Sequence, residues 1–200
     1  MGYYIRVLSP SAEVVPHSVL NADLAAEHPN AALTIEDGSE PQWEQLVLRH
    51  PDGSEIAVVE RNSKAGDVVN EEIDEFIEEV GGCQPQSSVE WLQKYLPTVR
   101  TIYAFQILSG TESEDGWKIF GTLKSAVWRR ASGIIQADGE GFTNEGGYHI
   151  LWQFTDSVTG KWWMGILENG RWVHFQMDLG NRKQREAFFQ GIVPAGAQRA

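Results

Sequence analysis

The stretch KWWMGILENGRWVHFQMD, from Lys161 to Asp178, decides the fold of the second half of the chain. Two segments rich in β-branched and aromatic residues flank the dipeptide Asn169-Gly170. This dipeptide is the preferred pair for a two-residue type I′ turn, because both central positions of that turn need positive φ. The stretch therefore predicts an antiparallel hairpin of strands 161–168 and 171–178, and the turn sets its register.

The register assigns each side chain of the hairpin to one of two faces, since successive side chains of a strand alternate. The first face is apolar, and its cross-strand pairs are Ile166 with Val173, Met164 with Phe175, and Trp162 with Met177. The second face is mixed, and its pairs are Leu167 with Trp172, Gly165 with His174, and Trp163 with Gln176. We expect the first face to lie in the core.

Residues 147–154 are predicted to form a further strand beside this hairpin. Placing Ile150, Trp152 and Phe154 on the apolar face puts His149 and Gln153 on the second face. A slip of one residue would bury those two polar side chains instead, which is costly. We therefore expect a loop of odd length around 156–160.

The second face then carries two histidines, two tryptophans and two glutamines around a glycine that leaves room for a ligand. Aromatic rings with polar groups beside them suit a ligand that stacks and accepts hydrogen bonds. Three interpretations remain open: a face covered by a helix or by the first half of the chain, a protein–protein interface, or a small-ligand site.

Working outward from the hairpin, residues 134–138 read as one more strand, which completes a four-stranded antiparallel meander. A helix starting near Ser113 precedes the meander, and a C-terminal helix capped by Asn181 follows it. Residues 194–200 read as a frayed tail. The first half reads β-α-β-β-β-α-α-β, so the predicted fold class is α+β.

Turn and cap signals divide the first half. Pro16 opens a helix at its first turn, and Pro51-Asp52-Gly53 joins two strands into a hairpin. Asn70 is predicted to cap an acidic helix that ends at Gly81-Gly82. Ser87 or Ser88 is predicted to cap the next short helix.

Charge is distributed unevenly along the 200 residues. Residues 1–110 hold 18 acidic and 6 basic side chains, whereas residues 111–200 hold 10 of each, and the whole net charge of −12 comes from the first part. The charge step suggests an acidic α+β lobe over 1–110 and an α-β-β-β-β-α lobe over 111–200, which can share one core. An acidic surface repels phosphate backbones and anionic lipids, so neither nucleic acid nor a membrane is an expected partner.

The cellular location is predicted from what the sequence lacks. Cys83 is the single cysteine, so no internal disulfide forms, and the N-terminal residues lack the basic start of a signal peptide. No stretch approaches the roughly 20 apolar residues of a membrane span. We expect a cytoplasmic protein, and since no phosphate-binding or dinucleotide-binding motif occurs, we expect no cofactor.

The glycine-rich loop 138–147, DGEGFTNEGG, is the candidate for chemistry. It offers the carboxylates of Asp138, Glu140 and Glu145 and the amide of Asn144, groups that bind hard cations or transfer protons. Its order does not match an EF-hand loop, because Thr143 occupies the position that requires glycine. The other interpretation is a turn whose polar side chains bond local backbone, and we expect no metal.

The sequence therefore leaves two functional hypotheses, and whether the protein is an enzyme stays open. The first is a non-enzymatic binding or protein-interaction module, with a protein partner or a second copy of the chain as its partner. The alternative is a hydrolase-like enzyme using Asp138 and Glu140 with His149 or His174. The candidate ligand-binding residues are Asp138, Glu140, Asn144, His149, Gln153, Trp163, Trp172, His174 and Gln176.

Overall fold

The computed structural model of the chain describes residues 2–200. Its elements in chain order are β1 (Tyr4–Ser9), α1 (His17–Glu27), β2 (Ala32–Asp37), β3 (Gln45–Arg49), β4 (Glu55–Ser63), α2 (Asp67–Val80), α3 (Gln86–Tyr95), β5 (Thr101–Ile107), α4 (Gly116–Ala131), β6 (Ile134–Ala137), β7 (Gly141–Thr143), β8 (Lys161–Glu168), β9 (Arg171–Asp178), α5 (Arg182–Phe189) and β10 (Gln198–Arg199). The predicted α+β class is confirmed. No helix in this described part is long and apolar enough to cross a membrane.

Two compact units make up the fold, and both are discontinuous in sequence. The first contains the residues up to Asn70 together with Val99–Gly133, and the second contains Glu71–Thr98 together with Ile134–Ala200. The boundary between the compact units therefore does not lie at residue 110, because that residue is inside the first unit. That the predicted lobes 1–110 and 111–200 are domains stays a prediction.

In the first unit, five strands lie in the order β2-β3-β4-β5-β1, and each neighbouring pair is antiparallel. The β3–β4 hairpin turns at Pro51-Asp52-Gly53 as predicted, with Gly53 at φ 90°. Helices α1 and α4 pack against one another, and a bidentate ion pair joins Arg130 to Asp23. The predicted order of strands and helices in residues 1–110 is confirmed.

Two predicted helix starts are wrong. Helix α2 begins at Asp67 rather than after a cap at Asn70. The apolar Val69 is fully buried, and its burial stabilises the additional first turn. Helix α3 begins after Pro85, whose fixed φ of −79° suits a helix start. Neither Ser87 nor Ser88 caps this helix, and both hydroxyls are buried without a hydrogen-bond partner in the described residues.

The hairpin prediction in the second unit is confirmed residue by residue. Strands β8 and β9 pair from Lys161 with Asp178 to Glu168 with Arg171, in the predicted register. Asn169 has φ 50° and Gly170 has φ 75°, the left-handed conformation that a type I′ turn needs.

The apolar face of the hairpin forms a core cluster, as expected. Its fully buried members are Met164, Ile166, Phe175 and Met177, with Phe188 of α5 packed on them. Asn181 caps α5 by accepting from the backbone N–H groups of Lys183 and Gln184, which confirms the predicted cap. The cap directs the apolar side of α5 onto the sheet.

The predicted four-stranded meander is wrong. Residues 147–154 form no strand; Gly141–Thr143, placed in a loop by the prediction, is β7 and pairs with β6. His149 makes only single bridges, one of them parallel to Met164. The third strand of this sheet is instead β10, which pairs with β9 in the segment predicted to be a frayed tail.

The side chain of Asn144 explains why residues 147–154 do not form the predicted strand. Its Oδ1 accepts from the backbone N–H groups of Gly146 (3.0 Å) and Tyr148 (3.1 Å), and Gly147 has φ 86°. These bonds reverse the chain within a few residues. His149 therefore forms an antiparallel bridge with Thr143 of β7 and a parallel bridge with Met164 of β8. A sequence pattern of period two does not distinguish this arrangement from an antiparallel strand.

The hairpin turn provides a stability test. Replacing Asn169 and Gly170 together by alanine should lower the free energy of unfolding by roughly 1–3 kcal/mol, because alanine is strained at positive φ. Urea unfolding measures the change. Gly82→Ala is the matched control, since Gly82 is exposed, has no positive φ and meets no atom within 4 Å of an added Cβ. Equal effects of both changes would contradict the turn assignment.

Candidate functional site

The second face of the β8–β9 hairpin carries a set of aromatic and polar side chains that we call the aromatic platform. Its residues are Tyr148, Trp163, Trp172, His174 and Gln176. Strand alternation places the four from β8 and β9 on one face, and Tyr148 joins them from the segment before β8. Trp163, Trp172, His174 and Gln176 thus lie on the face predicted for them.

Tyr148 organises the middle of the platform. Its ring stacks on His174, with ring centroids 3.5 Å apart and planes 3° from parallel, and it meets Trp163 edge-on at 6.1 Å. A Cβ on Gly165 would lie 3.4 Å from both Tyr148 Cβ and Ile150 Cγ2. The space above this glycine, expected to admit a ligand, is therefore occupied by the protein itself.

The two ends of the platform differ in cover. At one end Trp91 of α3 packs edge-on against Trp172 at 5.2 Å and stacks on Tyr95 at 4.9 Å, so this end is covered by a helix. At the other end the side chain of Trp163 is 39% exposed. One end of the face is therefore covered by a helix, as the first of the open interpretations expects, and the other end is an exposed aromatic surface.

His174 is half-buried between these ends. Its Nε2 is buried and has no hydrogen-bond partner in the described residues. Burial lowers the pKa of its imidazole below the usual value, because removal from water disfavours the charged ring. At neutral pH the ring is therefore uncharged, which suits its stacking on Tyr148.

A small pocket of about 230 Å³ adjoins the exposed end of the platform. Gln176 lines it together with Lys161, Asp178, Gln184 and Gln198. Trp163 is not one of the lining residues, but it pairs across the strands with Gln176, so its exposed indole lies beside that residue on the same face of the sheet. Met177 and Gly196 complete the lining, so the pocket combines polar side chains with apolar surface.

His149 is not on the platform, contrary to the prediction. It is 2% exposed and lies on the apolar side of the sheet, near Phe154 (4.7 Å) and Trp162 (5.7 Å). Its Nε2 is 3.0 Å from the carbonyl oxygen of Glu140, and since a carbonyl only accepts, this nitrogen carries the proton. The polar ring is tolerated in the core because this bond satisfies its donor.

Burial lowers the pKa of His149 to about 4, and hydrogen bonds to the backbone at Leu151 and Glu140 oppose the shift only in part. The ring is therefore neutral at pH 7 and enclosed.

In the glycine-rich loop, the side chains of Asn144 and Asp138 contact neighbouring groups of the protein. Asn144 is 2% exposed and its side-chain oxygen is used by the turn described above. Asp138 is half-buried, with Oδ1 at 3.5 Å from the amide nitrogen of Gln136. Gln153 does not join Trp163 and Gln176 in the predicted row, because residues 147–154 form no strand beside β8, and its backbone N–H donates to the carbonyl oxygen of Glu140 at 3.1 Å. Among residues 2–200, no group of three or more histidine, cysteine or acidic side chains is arranged to hold a metal ion.

A second depression, of about 470 Å³, lies in the first unit between the end of α1 and the outer side of α4. Several of its polar groups already bond within the protein: the hydroxyl of Thr122 donates to Glu27, and the indole N–H of Trp128 donates to the carbonyl of Gly133. Its lining combines Gly121 with the cations Lys118 and Arg129. This cleft was not predicted, because nothing in the sequence relates α1 to α4.

Tyr148 and Trp91 are parts of the site that were not predicted from the sequence. The neighbouring glycines 146 and 147 hint that Tyr148 follows a turn, but no local signal shows which ring it contacts. No protein-family model, no curated protein and no solved structure matches this chain.

The burial of His149 leads to a prediction for the pH dependence of stability. The unfolded chain binds a proton at this ring below pH 6.5, whereas the folded protein does so only near pH 4. The free energy of unfolding should therefore fall as the pH drops through this window, by about 3 kcal/mol from this residue. His149→Gln should flatten that part of the slope in denaturant titrations at several pH values. His174→Gln should flatten it less, because burial lowers the pKa of that ring in the same direction but the ring is only half-buried; a slope unchanged in His149→Gln would contradict the assignment.

The two tryptophans of the platform should respond differently to truncation. Trp172→Ala removes the contact with Trp91 and should cost roughly 2–4 kcal/mol, as truncation of a packed ring does. Trp163→Ala should cost less than about 1 kcal/mol, because the ring is substantially exposed. Thermal and urea unfolding measure both. Equal losses for the two variants would show that Trp163 is covered.

Proposed function

We propose that this protein is a non-enzymatic binding module whose ligand lies on the exposed end of the aromatic platform. The observation that carries the proposal is the position of Trp163: a large, partly exposed indole on a rigid strand, with Tyr148 and Gln176 beside it. Tryptophan and tyrosine are the residues that contribute most at binding surfaces, since they bury much area while losing few rotamers.

Preorganisation of the platform supports this function. Tyr148 is held by the stack on His174 and by the backbone bond from its N–H to Asn144. Trp172 is held by Trp91, and the strands are held in register by the turn at Asn169 and Gly170. A surface that is already ordered loses little conformational entropy when a ligand binds.

The hydrolase-like alternative receives less support from the same geometry. General base catalysis needs a histidine that can reach a substrate proton. His149 is enclosed and uses its ring N–H on the Glu140 carbonyl, and His174 is pressed against Tyr148. No observation favours either ring as a base.

The proposal includes a cytoplasmic location. A macromolecular ligand would be another protein or a second copy of the chain, and a small molecule also suits the exposed aromatic surface. The net charge of −12 supports the further expectation that neither nucleic acid nor an anionic membrane is the ligand.

A capture experiment tests the proposal. The purified protein is immobilised and exposed to an extract of the cells that carry its gene, and bound proteins and small molecules are identified by mass spectrometry. At least one defined species should bind the wild type and be reduced about tenfold or more on Trp163→Ala, since a central aromatic contact contributes strongly to affinity.

Trp117→Ala is the matched control, because Trp117 is also exposed, at 53%, but lies on α4 in the first unit. It should retain the captured species. Sedimentation velocity of the same variants detects a second copy as the ligand. If every captured species binds Trp163→Ala as well as wild type, or if a captured species is chemically converted in a manner lost in Asp138→Asn or Glu140→Gln, the proposal is wrong.

A further inference from the structure

Several polar side chains that line the pocket near Trp163 form no side-chain hydrogen bond within the described residues. The carboxamides of Gln176 and Gln198 and the ammonium of Lys161 have no side-chain hydrogen bond in the part of the chain that the structure describes. Gln184 uses its carbonyl oxygen to accept from the N–H of Asp178 at 2.7 Å, which leaves its amide N–H₂ group for another partner. Three amides around one pocket therefore offer several donors and acceptors.

The charges at the pocket balance. Lys161 and Asp178 are cross-strand partners, so one cation faces one anion. Asp178 already accepts from the N–H of Gly180 at 2.9 Å. A strongly charged ligand would therefore gain little net attraction here, whereas a neutral ligand rich in hydrogen-bonding groups would meet amide donors and acceptors.

The pocket and the indole lie on the same surface. Trp163 is the cross-strand partner of Gln176 and lies two residues after Lys161 on the same face of β8, so the exposed ring lies next to two of the residues that line the pocket. The ring provides a flat apolar surface, and the pocket provides polar groups at its edge. A pocket of about 230 Å³ is smaller than a typical site for a drug-sized molecule and suits a single small ring.

A ligand that matches both parts has one flat C–H face and a rim of neutral groups that donate and accept. A pyranose ring has this structure: its axial C–H bonds pack on an indole, and its hydroxyls pair with carboxamides. We propose that Trp163 and the adjoining pocket bind a neutral carbohydrate, with the sugar ring on the indole and hydroxyls on Gln176, Gln184 and Gln198. This inference rests on the proposed function and names its class of ligand.

Saturation-transfer difference NMR tests the inference with a defined panel: glucose, galactose, mannose, N-acetylglucosamine, maltose and cellobiose. At least one of these sugars should receive saturation from the protein and compete with another for the same site. Trp163→Ala should weaken that binding about tenfold or more, since the stacking surface is lost. Gln176→Ala should weaken it roughly threefold to tenfold through the loss of hydrogen bonds.

Trp117→Ala should leave sugar binding unchanged, and thermal unfolding of each variant shows that the fold is kept. A proline-rich peptide is the comparison probe, because polyproline segments also bind aromatic surfaces but carry no hydroxyls. Binding of the peptide and of none of the sugars would overturn the carbohydrate inference, and so would sugar binding that Trp163→Ala leaves intact. In both cases, a species captured by the wild type and lost in Trp163→Ala would still support the proposed binding function. The two experiments therefore distinguish failure of the carbohydrate inference from failure of the proposed function.

Discussion

The left-handed backbone at Asn169 and Gly170 is the constraint on which the second unit depends. It allows a two-residue turn, and the two-residue turn leaves one register for β8 and β9. A shift of one residue would exchange the faces and expose Met164 and Phe175, which are fully buried. The core under α5 and the aromatic platform are therefore two consequences of the same turn.

The exposure of the aromatic platform increases from one end to the other. Helix α3 covers the end near Trp172, Tyr148 covers the middle at His174, and the end near Trp163 stays accessible beside a polar pocket. The exposed ring of Trp163 therefore packs against Tyr148, which is itself held by its stack on His174. A rigid base is what a binding surface needs to hold an aromatic contact without loss of entropy.

The glycine-rich loop shows how residues with catalytic potential can serve architecture. Asn144 uses its side-chain oxygen on two backbone N–H groups, and His149 uses its ring on a carbonyl of the same loop. Most buried polar side chains in proteins are hydrogen-bonded, and here the sharp reversal of the chain uses groups that a ligand would need. The histidine then lies in the core at the cost of a low pKa, which couples folding to pH.

Local signals in the sequence determined much of this protein. The alternation along β8 and β9, the Asn169-Gly170 dipeptide, the cap at Asn181 and the turn at Pro51-Asp52-Gly53 each involve neighbours in the chain, and all four were predicted correctly. From them followed the register and the face on which Trp163, Trp172, His174 and Gln176 lie.

Tertiary structure decided which parts of that face are covered and where residues 144–154 run. The stacking of Tyr148 on His174 and the contact of Trp91 with Trp172 join segments far apart in sequence, and apolar contact has no directional code in the chain. The Asn144 turn changed the direction of the following segment and moved His149 to the other side of the sheet, because its hydrogen bonds to Gly146 and Tyr148 outweighed the alternating pattern. The pairing of β10 with β9 depended likewise on a partner strand that ends twenty residues earlier, beyond the reach of any local pattern.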